Sequence, residues 1–247
     1  MSKLNAQRHR SRRSSLLTQV SLLLTTALLG STRAQALEVT AVQEMAFVRA
    51  DKFLYVQGGK IVRNGADLAV LSQLLALDLS TSWPVGSPPW ETLAGGRGVN
   101  LHSAVATPDN QTLITFARER DQNTLTIASY NIQQKQWLPS ISEIPTGDMV
   151  GGMKAVMDPQ TEAVYINGAD YLHVYNSRSD ALRSEVYPAR AFPSRSFAEG
   201  VYNSARKTVM YLGGYSPSFL YENTTYISEY ATALQTWSIL VRASVAE

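Results

Sequence analysis

A layout of short β-runs recurs four times along this 247-residue chain. Self-similarity at a fixed period limits the possible folds more than any single motif does. Each copy has a small or turn-flanked strand, a strong β-run and often a Gly pair. A variable loop follows, then a second β-run ending in Asp, Asn or Tyr, and a turn that leads to Trp. The copies cover residues 54–83, 102–137, 151–182 and 198–237. Trp83 and Trp137 are 54 residues apart, and Trp237 follows Trp137 by 100, or two steps of 50. Runs such as FLYV (53–56), TLITF (112–116), AVYI (163–166) and TVMYL (208–212) alternate with turn residues, the pattern of half-buried strands. No window of a dozen residues carries a helical apolar stripe. Four strands per unit and a period near 50 predict an all-β propeller. About four blades are expected, at roughly 40–95, 98–145, 148–190 and 194–240.

Specific residues fit that expectation. Gly58, Gly59, Gly213 and Gly214 let the second strand end in a tight turn close to a neighbouring backbone, and Gly168 stands alone in the third copy. Trp83, Trp137 and Trp237 are expected on outer strands, as apolar bodies filling the gaps between blades. The second copy departs from the layout with Ala117 and Arg118 in place of the Gly pair, and the third has Leu182 where Trp is expected.

The pieces LYVQGG (54–59), ALDL (76–79), Trp83, HSA (102–104) and MYLGGY (210–215) resemble kelch repeats, the motif shared with the central domain of galactose oxidase. The resemblance spans roughly residues 40–240. It implies a kelch-type propeller similar to fungal secreted or membrane-tethered kelch proteins. That family commonly closes its ring with six or seven blades, about 300–350 residues at this period. Three expectations follow: a longer propeller of which this is part, a small propeller, or an oligomer that completes the ring. An incomplete ring is the favoured one.

Charge is unevenly placed. Residues 1–36 hold six basic and no acidic residues, so residues 37–247 carry a net charge of −4. A mildly acidic body argues against a nucleic-acid partner, which needs clustered basic surface. The first 36 residues read as a secretory signal peptide: a basic start to Arg13, an apolar stretch over 16–30, then Ala34 and Ala36 in small-x-small spacing with cleavage after Ala36. The apolar run is shorter than the ~20 residues of a membrane span. An uncleaved anchor and a transit peptide are the alternatives. Sequons at Asn110 and Asn223 fit a glycosylating route and a secreted or cell-surface location.

The chain has no cysteine. That excludes disulfide scaffolds, thiolate metal sites and cysteine nucleophiles together. It also argues against the copper-radical chemistry the resemblance would suggest, whose site is two Tyr and two His with one Tyr crosslinked to Cys. His102 and His173 read as packed residues. Gly95, Gly96 and Gly98 read as a linker between blades, and Asp78 and Asp158 as turn formers. Neither a G-x-S-x-G nor a phosphate-loop pattern occurs. The expectation is a non-catalytic module without cofactor or metal, presenting loops to an extracellular protein or glycan. Tyr202, Tyr215, Tyr221 and Tyr226 are candidate rim aromatics. One alternative is a carbohydrate-active enzyme using Glu119 and Asp121. Another is a structural ectodomain tethered to a membrane through a missing C-terminal segment.

Overall fold

The computed structural model describes residues 42–118, 124–145, 152–168, 171–187, 196–214 and 227–240. The described residues form four antiparallel four-stranded sheets and one small hairpin, with no helix among them. The first sheet holds β1 (Ala46–Ala50) and β2 (Phe53–Gln57), then β5 (Leu74–Asp78) and β6 (Trp90–Leu93). Between β2 and β5 the chain makes the separate hairpin of β3 (Lys60–Arg63) and β4 (Ala66–Val70). The second sheet is β7 (Ser103–Ala106), β8 (Thr112–Arg118), β9 (Thr124–Asn131) and β10 (Gln136–Pro145). The third is β11 (Ala155–Met157), β12 (Ala163–Asn167), β13 (Tyr171–Asn176) and β14 (Ala181–Val186). The fourth is β15 (Glu199–Asn203), β16 (Thr208–Leu212), β17 (Ile227–Ala231) and β18 (Thr236–Ile239).

Each sheet is a meander, and the turns explain why. Asn110, Glu162 and Lys207 sit just before their second strands with φ of 57°, 57° and 53°. Lys135, Asp180 and Gln235 do the same before the outermost strands, at 53°, 51° and 53°. A single left-handed residue of this kind closes a short hairpin with the twist its strands need. Side chains reinforce the turns. Asp78 Oδ1 accepts from Ser80 N at 2.8 Å, Asn131 Oδ1 from Gln134 N at 2.7 Å, and Asn176 Oδ1 from Arg178 N at 3.0 Å. Asp158 likewise accepts from Gln160 N at 2.9 Å.

The registers align the four sheets residue by residue. Leu77 pairs with Trp90, Tyr130 with Trp137, Tyr175 with Leu182 and Tyr230 with Trp237. The expected outer-strand Trp of the first repeat is therefore Trp90, not Trp83. Trp83 lies in the loop before β6. Pro84, Pro88 and Pro89 follow it, and proline cannot donate to a ladder, so the outer strand starts only after them.

First strands of successive sheets lie beside one another, β1 by β7, β7 by β11 and β11 by β15. They are thus the innermost strands around a common axis. A backbone series links them: Leu101 N donates to Glu44 O at 3.0 Å, Gly152 N to Leu101 O at 3.2 Å, and Phe197 N to Gly152 O at 3.0 Å. All four residues have positive φ.

Three apolar clusters fill three gaps between neighbouring sheets. The first includes Tyr55 and Leu74 against Leu113 and Tyr130. The second sets Val105, Ile114, Phe116 and Ile127 against Val164, Ile166 and Tyr175. The third sets Val156, Tyr165 and Val174 against Val209, Tyr211 and Tyr230. Fully burying side chains of this size contributes roughly 1.5–3 kcal/mol each. Direct bonds cross the same gaps, with Ala155 N donating to Ser103 Oγ at 2.9 Å and Tyr211 Oη to Tyr165 O at 3.0 Å. Among the described residues no apolar cluster joins the fourth sheet to the first, and the axial backbone series does not return from Phe197 to Glu44.

Candidate functional site

The inner strands bring equivalent positions to one mouth at the axis. It is a cavity of about 200 Å³ lined by Phe47, Ser103, Met153, Lys154, Phe197 and Glu199, among others. Its equivalent positions carry unlike side chains. Ala46, Ser103, Lys154 and Glu199 occupy one level of the four strands, as their pairing to the second strands shows. Lys154 Nζ lies 2.5 Å from Glu199 Oε1 and 5.6 Å from the Phe47 ring centroid, so one cation links the first, third and fourth sheets across the axis. Phe47 and Phe197 are each 60% exposed. Two apolar rings beside an ion pair form a surface able to receive a partner with both apolar and charged groups.

Next to the mouth stands the β3–β4 hairpin. Lys60 Nζ ties it down, 2.7 Å from Glu44 Oε1 and 3.2 Å from Asp67 Oδ1. Those carboxylates raise the Lys60 pKa, chiefly through hydrogen bonding to Glu44. Leu68 and Val70 are exposed on this hairpin. Its turn is Asn64-Gly65, with φ of 53° and 77°, the left-handed pair of a two-residue hairpin. A variable loop was the expectation for this stretch, yet Asn-Gly between KIV and ADLAV was the signal for two strands.

His102 lies one residue before the Ser103 level, and it is buried. Neither of its ring nitrogens reaches a hydrogen-bond partner, and burial holds its pKa down at about 4. It is therefore a neutral wedge between the first two sheets: a Cβ added to Gly58 would stand 2.9 Å from His102 Cε1. His173 is buried in β13 with Nδ1 2.7 Å from Ser184 Oγ, and burial lowers its pKa also. The two histidines belong to different gaps. No group of three His, Cys, Asp or Glu side chains gathers among the described residues as a metal site would need.

The repeat residues sit at structural positions. Gly58 and Gly59 end β2 with φ of 65° and 94°, and Gly213 and Gly214 end β16 with 63° and 96°. Gly168 follows β12, where a Cβ would meet Tyr171 O at 2.9 Å. Trp137 stacks edge-on against Tyr130 at 5.3 Å, and its Nε1 donates to Ala94 O of the preceding linker at 2.9 Å. A Cβ on Gly96 would strike that Trp137 ring at 2.6 Å, which explains the glycine-rich linker. Trp237 packs among Tyr187, Tyr211 and Tyr230, while Leu182 takes the corresponding place in the third sheet. Tyr202 packs against the cluster between the third and fourth sheets. Ala36, Asn223, Glu119, Asp121, Tyr215, Tyr221 and Tyr226 lie outside the described residues. Asn110 is exposed in the turn before β8.

No family model and no curated protein matches the chain. Among solved structures, the structure of YjhT matches with a TM-score of 0.60 at 11% identity, over 85% of this chain and 68% of that one. YjhT is a kelch-type propeller. The fold is a β-propeller. Its four sheets are the blades, numbered here from the N-terminus, and at this identity the likeness concerns the fold alone.

Proposed function

We propose that the protein is a secreted or cell-surface binding module of the kelch type that holds an extracellular protein or glycan at its axial mouth without turning it over. The observation that supports this most is the set of unlike side chains at equivalent inner-strand positions. Ala46, Ser103, Lys154 and Glu199 stand where strict repetition would give four copies of one residue, and the Phe47 and Phe197 rings beside them are exposed. The leader ending at Ala36 and the sequons at Asn110 and Asn223 support export. A binding role also suits the fold, whose inner strands and connecting loops converge on one end of the axis.

The test is expression of the full chain in a secreting eukaryotic host. The exported protein is expected to begin at Leu37, and Met1 at the exported N-terminus would contradict the leader. Immobilised glycans and extracellular proteins are then screened with the wild type, Phe47→Ala and Glu199→Lys. Binding that both substitutions weaken supports the axial mouth. Binding that survives both, or chemical conversion of the bound glycan, contradicts the proposal.

A further inference from the structure

We propose that the cleft between blades 1 and 2 is the seat of a sugar ring, and that a glycan carried on Asn110 supplies it; this rests on the secreted reading above. The cleft lies at the far end of the inner strands from the axial mouth, since β1 starts at the mouth and ends at Ala50, which lines the cleft. Its volume is about 520 Å³, within the ~300–1,000 Å³ of small-ligand sites. Blade 1 contributes Asp51 and Phe53, and blade 2 contributes Asn110, Gln111, Ile132 and Gln133.

Phe53 is the unusual residue. Its register equivalents are Thr112, Ala163 and Thr208, so the strand position does not require an aromatic ring. The ring is only half-buried. Together with Ile132 it gives the cleft an apolar floor. The amides of Gln111 and Gln133 also line the cleft, and each can donate and accept, although Gln111 Nε2 already donates to Asp109 O at 3.3 Å. An apolar floor with amides and the carboxylates of Asp51 and Asp109 around it suits a pyranose, which has a C–H face and hydroxyl edges.

Asn110 places such a ring there. Its Oδ1 accepts from Asp51 N at 3.0 Å, reaching from blade 2 to blade 1 and fixing the plane of the amide. Nδ2 is free of hydrogen bonds among the described residues, and the side chain is exposed. Asn110-Gln111-Thr112 is the acceptor sequence. Attachment forms a bond from Nδ2 to the sugar C1 and breaks the C1–O bond to a lipid-linked diphosphate donor. The proton lost from Nδ2 leaves with the diphosphate. The first sugar is then one bond from an amide held at the rim of the cleft. Packed on Phe53, it clamps blade 2 to blade 1.

Removing Asn110 would also remove its bond to Asp51, so the acceptor is better disabled at Thr112. The full chain, carrying Asn223→Gln, is exported from a eukaryotic host as the parent, Thr112→Ser, Thr112→Ala and Phe53→Thr. Occupancy of Asn110 is read by mass spectrometry. Melting is read before and after an endoglycosidase trims the glycan to one sugar. The parent and Thr112→Ser are expected to be occupied and to melt ~2–4 °C above Thr112→Ala. The shift should survive trimming, because the first ring makes the contact. In the Phe53→Thr background, adding Thr112→Ala should produce no further shift. An exported chain with a bare Asn110 overturns the proposal. So does an occupied chain that melts with Thr112→Ala, or a glycan-dependent shift that persists in Phe53→Thr. Retention of the chain in the cell with its leader intact instead contradicts the secreted reading.

Discussion

Blades 2 and 4 place the same positions on the face turned toward the following blade, and the two faces have different fates. In blade 2, Val105, Ile114 and Phe116 are 5%, 2% and 0% exposed beneath blade 3. The register equivalents in blade 4 are Val201, Met210 and Leu212. Val201 is 46% exposed, and Met210 and Leu212 are half-buried. The glycine pairs repeat the contrast. Gly58 and Gly213 share a φ near 65°, but a Cβ on Gly58 would meet His102 at 2.9 Å and come still closer to Val99 O, whereas one on Gly213 would meet no atom of the described residues within 4 Å. Strand propensity and register are therefore properties of each blade, while burial of the apolar side chains on this face comes from the neighbour. Blade 4 also carries more polar chemistry on this face. Buried Glu229 stands at the position of Ser129, held by Arg206 Nε at 2.7 Å and Nη2 at 2.9 Å, with Thr208 Oγ1 at 2.7 Å. These hydrogen bonds, Arg206 first, lower the Glu229 pKa and favour its ionised form.

The largest contrast is expected from emptying equivalent apolar positions. Phe116→Ala should cost about 3–5 kcal/mol of unfolding free energy, the range for a fully buried aromatic. Leu212→Ala should cost ~1 kcal/mol, because a half-exposed site removes little area from water. Urea unfolding of the two variants measures both, and equal losses would break the comparison. The glycines come next. Gly58→Ala combines left-handed strain with overpacking against a carbonyl, about 2–4 kcal/mol together. Gly213→Ala meets the strain without a clash against the described residues, ~1 kcal/mol.

The last effect concerns His102, is absent at neutral pH and appears only on acidification. Its folded pKa of about 4 lies below its ordinary value of 6.5, so the unfolded chain binds the proton more readily. Its contribution is fully present above pH 6.5 and is lost progressively as the pH falls toward 4. His102→Met installs the residue found at the equivalent positions 45 and 153. It should flatten the stability profile between pH 6.5 and 4 while leaving neutral stability intact. An unchanged profile would show that His102 is not the titrating wedge between blades 1 and 2.

Much of this fold was legible in the sequence because a repeat reports its own period. The β-runs, the Gly pairs and the turns at Asp78, Asn131 and Asn176 all carry local signals, and the structure places four blades where they recur. The misplaced Trp83 shows the limit: two tryptophans seven residues apart both fit the spacing, and only the prolines between them decide which joins the ladder. The β3–β4 hairpin was signalled by Asn64-Gly65 but masked by the stronger runs on either side. The axial mouth was not legible. Phe47, Lys154 and Glu199 are far apart in sequence and unremarkable singly, and they meet only because the inner strands converge. The blade 1–2 cleft was hidden for the same reason, with Phe53 looking like any core aromatic.

The absence of cysteine makes the central contrast directly measurable. Val105→Cys and Val201→Cys each place one thiol in an otherwise thiol-free chain, at equivalent positions of blades 2 and 4. Under native conditions the rate of thiol labelling reads whether a neighbouring blade covers the site. The account predicts that Val201→Cys reacts nearly as fast as in the unfolded chain. Val105→Cys should react at least ~100-fold more slowly, waiting on local opening of the interface. Equal protection at both positions would contradict it, since the face of blade 4 would then be as covered as that of blade 2.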